Sequence, residues 1–478
     1  MPGSARLILA NTTYRLIADV GAKIASVALF VVMARQLGEA GFGLFSFALA
    51  LVTLVTAASD FGQDKVLTRE VARRPEALDG YLANTLALKL ALALPGLAVA
   101  AAIVATSGTD DKTLAVVALL GLAVVADLLT ATCFAVYQAF ERMAFIPIVL
   151  ITQRFLTAVA GIAALLSGAG EVTVAAIFMI SGVLAFALAL ILLLRRVARP
   201  RLELRPQAWT ALMRAAAPIG LAGLFGIVLF RIDMVMLAAF EPHEVVGRYG
   251  AAYRLFETTL FLSWAVGAAV YPAFSRLSRT SDPPVGGMYE RSIKLVVALT
   301  LPLAAGAAVL AGPLIRVVFG AEYADAETAL ALLAPAIAFY PLAYIAGYLL
   351  VSQDRATWLT ATYAFVAVEN IALNFLLIPW LSLDGAALGT SISEGLAAFI
   401  LIAGAARAAG AFSWARVVAG PALASALAAV TMALLDQDLL LAAAAGAVVY
   451  VAALVAFESV VYPQDARTVW TSLRPAPR

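Results

Sequence analysis

The chain is a succession of apolar runs, each about 20 residues long and each stopped by glycine, proline or charge. An α-helix needs that length to cross the ~30 Å hydrocarbon layer of a bilayer, whereas barrel strands alternate over ~10 residues. Composition agrees, with 63% of residues hydrophobic and 13% charged; a soluble domain carries about twice that charge. The expectation is an all-α polytopic membrane protein. Spans read near 12–34, 42–61, 81–105, 113–137, 146–167, 171–194, 211–236, 248–272, 289–311, 326–351, 357–378, 384–406, 416–435 and 439–461. That makes about fourteen transmembrane helices.

Loop charge sets the expected orientation. With the N-terminus on the cytoplasmic side, that side collects Lys65, Arg69, Arg73, Arg74, Arg142 and the run Arg195, Arg196, Arg199, Arg201, Arg205. Arg276, Arg279, Arg291, Arg355, Arg407 and Arg416 fall there too, and the other side holds only Arg35, Lys112, Arg248 and Arg316. Basic short loops mark the cytoplasmic face, so both termini are expected there, in the cytoplasmic (inner) membrane. No inter-helix loop has room for a soluble domain.

The most polar break, Arg195 to Ala208, separates six spans from the next six. The expected division is a first lobe at 1–194, a basic linker at 195–210, a second lobe at 211–406, and two further spans with a tail at 407–478. The linker's simplest reading is a connector lying on anionic lipid. Phe42-Gly-Leu-Phe45 opening the second span is echoed by Val246-Gly-Arg-Tyr249 opening the eighth. Each half has an even number of spans, so a parallel repeat about an axis along the membrane normal is expected.

Charges inside spans carry the functional argument, because each costs about 2.5–3.5 kcal/mol at a helix centre. Arg15, Asp19 and Lys23 recur every four residues in the first span. They climb about 12 Å while drifting only about 80° around the helix, a ladder running from the interface towards mid-membrane. Such groups must face protein or water, although Arg15 alone would serve as a snorkelling anchor. Lys89, Asp127 and Arg154 are embedded in later spans of the first half. The second half has Arg231, Asp233, Arg254, Glu257, Lys294, Glu369 and Glu394. Arg254 and Glu257, three apart, have the spacing to pair along their own helix, whereas Arg231 and Asp233 do not. A guanidinium grips phosphate bidentately, so a wet, cation-lined vestibule suits an anionic headgroup. Tyr340, Tyr344 and Tyr348 recur at helical spacing, as packing or as a sugar platform. Cys133 and His243 are each the sole residue of their type, so no metal site, disulfide or cofactor is expected, and His243 reads as a solvated loop residue. No G-x-x-x-x-G-K-[ST] nucleotide motif is present.

Ala34-Arg-Gln-Leu-Gly-Glu-Ala-Gly-Phe-Gly-Leu-Phe45 resembles the A-R-x-L-G-x-x-x-[FY]-G-x-[FY] signature of polysaccharide flippases. These belong to the multidrug/oligosaccharidyl-lipid/polysaccharide (MOP) exporter superfamily. Asp60-Phe-Gly62, Arg69-Glu70, Tyr271-Pro-Ala-Phe-Ser275 and Gly385-Ala-Ala-Leu-Gly-Thr390 are similar to that family as well. The resemblance implies two six-helix lobes in a V, as in the multidrug exporters called MATE, and a central cavity with alternating access. It implies a polyprenyl-pyrophosphate-linked oligosaccharide as cargo, for cell-surface polysaccharide such as O-antigen.

The expected function is therefore a flippase and not an enzyme. Arg15, Lys23, Arg154, Lys89, Arg231 and Arg254 are the candidate cavity cations. Asp19, Asp127, Glu369 and Glu394 are the acids that would couple H+ or Na+. Membrane lipids, and a polysaccharide polymerase or glycosyltransferases, are the expected partners; nucleic acid is not. A cation-coupled multidrug exporter is the alternative, and a polytopic glycosyltransferase or polymerase is a weaker one.

Overall fold

The computed structural model describes the backbone over residues 2–106, 110–201, 203–277, 285–410, 413–435 and 438–463. Side chains are described from Gly21 onward within these, apart from Ala22, Pro218, Ile219, Ala268, Pro272 and Ala408. The described elements are helices: α1 (Pro2–Thr56), α2 (Gln63–Arg73), α3 (Leu78–Thr106), α4 (Asp111–Ala139), α5 (Phe145–Leu166), α6 (Glu171–Leu192), α7 (Trp209–Phe240) and α8 (His243–Thr259). They continue with α9 (Phe261–Leu277), α10 (Val285–Val309), α11 (Ala311–Val318), α12 (Ala326–Ser352), α13 (Ala356–Ala409), α14 (Trp414–Leu434) and α15 (Leu439–Val461). Among the described residues there is no strand.

Twelve helical stretches among the described residues are long and apolar enough to cross a membrane. Two of these, Lys23–Arg73 and Ala356–Arg407, run for 51 and 52 residues. At 1.5 Å per residue each amounts to about 75 Å of helix, more than twice the hydrocarbon thickness. Within them α1 is broken at Gly38 (φ 67°) and α13 at Ser382 (φ 53°), and the first stretch turns again at Gly62 (φ 76°) before α2. Each break falls where the sequence placed a loop, and counting the limbs separately recovers the fourteen expected spans. The stretch expected at 248–272 is divided between α8 and α9 at Leu260.

One short helix was not expected. Residues 63–73 read as a polar loop, yet α2 buries Gln63, Val66, Leu67 and Val71 and turns Lys65 and Arg69 outward. Its Leu67 and Val71 join a core with Leu82, Val136, Tyr137, Ile146 and Ala189, where α2 to α6 come together. The Tyr137 hydroxyl donates to the Ala189 carbonyl inside that core, so no polar group is left unsatisfied by the aromatic side chain.

The chain forms two compact units, Met1–Gly250 and Ala251–Arg478. In the first, α4 packs on α6 and α1, α5 lies along α1 and α6, and α7 runs against α1 and α2. In the second, α12 packs on α13 and α10, α9 lies on α12, and α14 pairs with α15 beside α10. Large apolar side chains such as Trp380, Phe399, Val368 and Val159 are left bare on the outside. In water that surface would drive aggregation, but against lipid tails it carries no penalty.

Ser382 holds a backbone conformation that a side chain disfavours, at a cost of roughly 1–3 kcal/mol. Ser382→Gly is expected to raise the thermal unfolding midpoint of the detergent-solubilised chain, and Ser382→Val to lower it, as read by fluorescence-detected size exclusion after heating.

Candidate functional site

In the first unit three of the expected charges lie on mutually packed helices. Lys23 is half-buried on α1 and engaged by the protein around it. Asp127 lies on α4 and Arg154 on α5, both half-buried, and α1, α4 and α5 all touch one another. Gln153 Nε2 donates to Asp127 Oδ1 at 2.6 Å, and the neighbouring Arg154 attracts the same carboxylate. Among the described residues Arg154 forms no salt bridge, so its fork of donors is not consumed by a close carboxylate. Two groups expected to do different work, a cavity cation and a coupling acid, thus belong to one cluster. Arg15 and Asp19, the lower rungs of the expected ladder, lie outside the residues whose side chains are described.

Lys89 is not a cavity cation in this structure. It is 1% exposed. Its ammonium donates to Asp64 Oδ2 at 2.7 Å and to the Leu128 carbonyl at 3.1 Å, and lies 3.0 Å from Asp60 Oδ1. Two of the ammonium's three protons are thus hydrogen-bonded, and two carboxylates neutralise its charge. Thr132 donates to the other oxygen of Asp64. Local spacing showed Lys89 no partner because Asp60 closed a different span and Asp64 stood in what read as a loop, and α2 carries Asp64 back to it.

The outer charges of the second half are also largely committed. Arg254 pairs with Glu257 at 2.7 Å along α8, the pairing that their spacing allowed. Arg231 is half-buried on α7 and interacts with its surroundings. Asp233, fully buried two residues on, accepts from the Tyr249 hydroxyl and the Met234 amide. Lys294 on α10 meets Glu458 of α15 at 2.6 Å and sits over the Tyr462 ring.

Of the two acids expected to couple ions in the second unit, Glu369 belongs to a polar seam between the limbs of α13, and Glu394 is next in sequence to it. Ser393 donates to Glu369 Oε2 at 2.7 Å while accepting from Asn370, which in turn accepts from Asn374. Glu394, 2% exposed, follows Ser393 directly and lies within electrostatic reach of the Tyr340 and Tyr363 phenols. The α12 tyrosines satisfy one another: Tyr340 stacks on Tyr344 at 5.7 Å, and Tyr344 meets Tyr348 edge-on at 4.8 Å. The Trp264 indole donates to Tyr340, and Tyr271 closes on Tyr348. They are packing between α9 and α12.

The second unit also holds an apolar cavity of about 430 Å³ between α8, α10, α12, α14 and α15. Pro302, Gly306, Ile337, Met432 and Tyr450 are among its walls. The one phenol there is capped, since Tyr450 donates to the Ala298 carbonyl. A lining with no free polar group accepts hydrocarbon and little else.

The two sequence echoes meet face to face within the first unit. A Cβ on Gly43 would lie 1.7 Å from the His243 carbonyl oxygen, and one on Gly247 would lie 2.1 Å from that of Glu39. The crossing of α1 and α8 is thus backbone on backbone, which only glycine permits at both positions. Arg248 clamps Glu39 beside it through two contacts of 2.8 Å. His243, expected to be solvated, is half-buried against the Phe47 ring at 5.8 Å, with Nδ1 buried and unpartnered.

This architecture, helical and polytopic with paired charges inside its spans, is that of a membrane transporter. Residues 8–278 match the family model described as polysaccharide biosynthesis protein, and the chain belongs to that family. Among curated proteins it is similar to the probable low-salt glycan biosynthesis flippase Agl15 of Haloferax volcanii, with 26% identity over 163 residues. That match spans about a third of each chain, 34% of both. Among solved structures it shares its fold with the lipid II flippase MurJ in an inward closed conformation, at TM-score 0.78 and 15% identity. The overlap covers 94% of this chain and 98% of that one. An inward-facing multidrug resistance MATE transporter of the MOP superfamily is similar at TM-score 0.65 and 15% identity, covering 81% and 93%. The expected recognition and fold class are therefore correct.

Breaking one side of a buried ion pair costs about 3–5 kcal/mol, whereas removing both sides costs far less. Lys89→Met is expected to destabilise the chain strongly, and Lys89→Met with Asp64→Asn to recover much of the loss. Thermal midpoints of the purified variants in one detergent measure both.

Proposed function

We propose that the chain flips a polyprenyl-pyrophosphate-linked oligosaccharide across the cytoplasmic membrane by alternating access, supplying cell-surface polysaccharide synthesis. The observation that carries this reading is a division of labour between the units. The first buries cations on α1 and α5, Lys23 and Arg154, and the second holds an apolar cavity against α14 and α15. A prenyl pyrophosphate has those two chemistries joined in one molecule. Family membership, and the similarity to the flippases Agl15 and MurJ, support the same cargo class.

In this reading the headgroup enters from the side on which both termini lie, and its phosphates are met by Lys23, Arg154 and Arg15. Asp127 holds Arg154 in place and leaves its outer donors for phosphate. The prenyl chain occupies the apolar cavity or the lipid beside it. Arg231 and Arg254 receive the headgroup in the outward state, where Arg254 must exchange Glu257 for phosphate. The Gly43–Gly247 crossing and the Glu39–Arg248 pair act as the outer closure. Drive comes from an ion gradient, with Glu394 and Glu369 as the acids that take up H+ or Na+. A polymerase or glycosyltransferases on the two faces would make and consume the cargo.

The test is reconstitution in liposomes with a fluorescent polyprenyl-pyrophosphate oligosaccharide, following its sidedness with and without pH and sodium gradients. Lys23→Ala and Arg154→Ala should each lower translocation at least about tenfold, the loss of one charge-assisted phosphate contact, with membrane abundance unchanged. Wild-type rates in both variants would remove these cations from the mechanism. Efflux of cationic dyes without lipid translocation would instead assign the chain to the multidrug exporters. Glu394→Gln should abolish the dependence on the coupling gradient while leaving cargo binding intact.

A further inference from the structure

The linker between α6 and α7 is not a slack connector. The span of α6 ends in a wide turn, Leu193–Val197, and residues 198–201 and 203–205, starting from an extended Ala198 (φ −155°, ψ 156°), form a strap fastened to the start of α3. Two α3 residues fasten it. Asp79 accepts the Arg201 amide on its side chain at 2.9 Å and the Glu203 amide on its carbonyl at 3.4 Å. Asn84, 3% exposed, donates to the Glu203 carbonyl at 2.8 Å. Its own carbonyl accepts the Arg205 amide at 2.8 Å and the Trp209 indole at 3.0 Å. One buried amide therefore holds three groups of the strap and its exit.

The fastening presents charge in a fixed array. Arg195, Arg196, Arg199 and Arg201 are exposed, as is Arg74 at the neighbouring α2–α3 corner. None of the five makes a salt bridge among the described residues. Of the nearby acids, Glu203 is used on Arg205 and Glu70 on Arg69 and Arg73. Leu194 and Leu204 stand exposed at either end of the arginine run, 39% and 58%. The candidate membrane span of α6 runs to Val197, so the strap starts where that span stops. Guanidinium groups at the end of a span, with exposed leucines beside them, match the phosphates and adjoining acyl chains of an anionic leaflet. A soluble polyanion would leave the leucines without a role.

We propose that this strap is a fixed binding site for anionic phospholipid headgroups and that Asn84 is the residue that fixes it. A loose polybasic linker must lose chain entropy each time it gathers lipid; the Asn84 and Asp79 bonds remove that loss before lipid arrives. The proposal is independent of the cargo assigned above.

The full-length chain, nuclease-treated, is placed in nanodiscs of mixed phosphatidylglycerol and phosphatidylcholine, and retained lipids are counted by native mass spectrometry. Phosphatidylglycerol should be retained over phosphatidylcholine at least about tenfold, given a factor of roughly five per juxtamembrane arginine. The preference should fall with salt. Substituting Arg195, Arg196, Arg199 and Arg201 by Gln should abolish it without loss of fold, since all four are on the surface. Asn84→Ala keeps the charge and should expose the strap to trypsin in phosphatidylglycerol discs where the parent chain resists, with lipid retention down severalfold. Asp79→Ala, on the exposed side of the latch, gives the same readout if the Asn84 variant does not fold. Equal retention of the two lipids, or full phosphatidylglycerol retention by the four-arginine variant, overturns the site. Unchanged trypsin resistance in both latch variants overturns the role of Asn84. Binding of an RNA oligonucleotide through the same arginines, with no lipid preference, assigns the strap to another partner and also overturns it.

Discussion

A charge buried in a low-dielectric medium must be matched where it stands, and that constraint organises this protein. Lys89 illustrates it, donating to Asp64 and a carbonyl and ion-paired with Asp60. So does Asp233, which accepts a phenol and an amide, and so does Lys294 on Glu458. Each match ties a short segment to a long helix: α2 to α3, the start of α8 to α7, the end of α15 to α10. The apolar surfaces that supply most burial in a soluble protein have little to say here, because lipid welcomes them equally. Specific helix pairing then falls to polar matches and to close backbone approach.

Against that background Arg154 differs from Lys89. Its neighbour Asp127 accepts from Gln153 and lies within electrostatic reach of Arg154, but no salt bridge among the described residues takes up the guanidinium. The same contrast separates the seam at Glu369 and Ser393 from Glu394 beside it, where the carboxyl lies among phenols. A fully matched charge is structural, and a partly matched one has capacity left for something that comes and goes.

The fold was legible because hydropathy fixes span length and turn residues fix span ends. The breaks at Gly38 and Ser382 lie between expected spans, and the echo at Gly43 and Gly247 identified the very residues that cross. The candidate site was legible only in part. Depth in a span says that a charge needs company but not which company, since the partners come from other helices. Lys89 was misassigned for that reason, and Gln153, Ser393 and Tyr363 left no trace in local spacing. The helix α2 escaped notice because it is polar on one side and too short for a hydropathy window. His243 looked like a loop residue because nothing in EPHEVVGR announces that its carbonyl will back onto a glycine.

The crossing at Gly43 and Gly247 has a kinetic corollary. Two backbones in direct contact carry no side chains that must find new rotamers when they separate, so neither parting nor rejoining waits on repacking. What holds the seam besides dispersion is an ion pair, Glu39 with Arg248, with water still reaching part of the guanidinium, which limits what the pair contributes. A junction built this way behaves as a zip fastener and not as a weld: tight when shut, yet reversible at thermal energies.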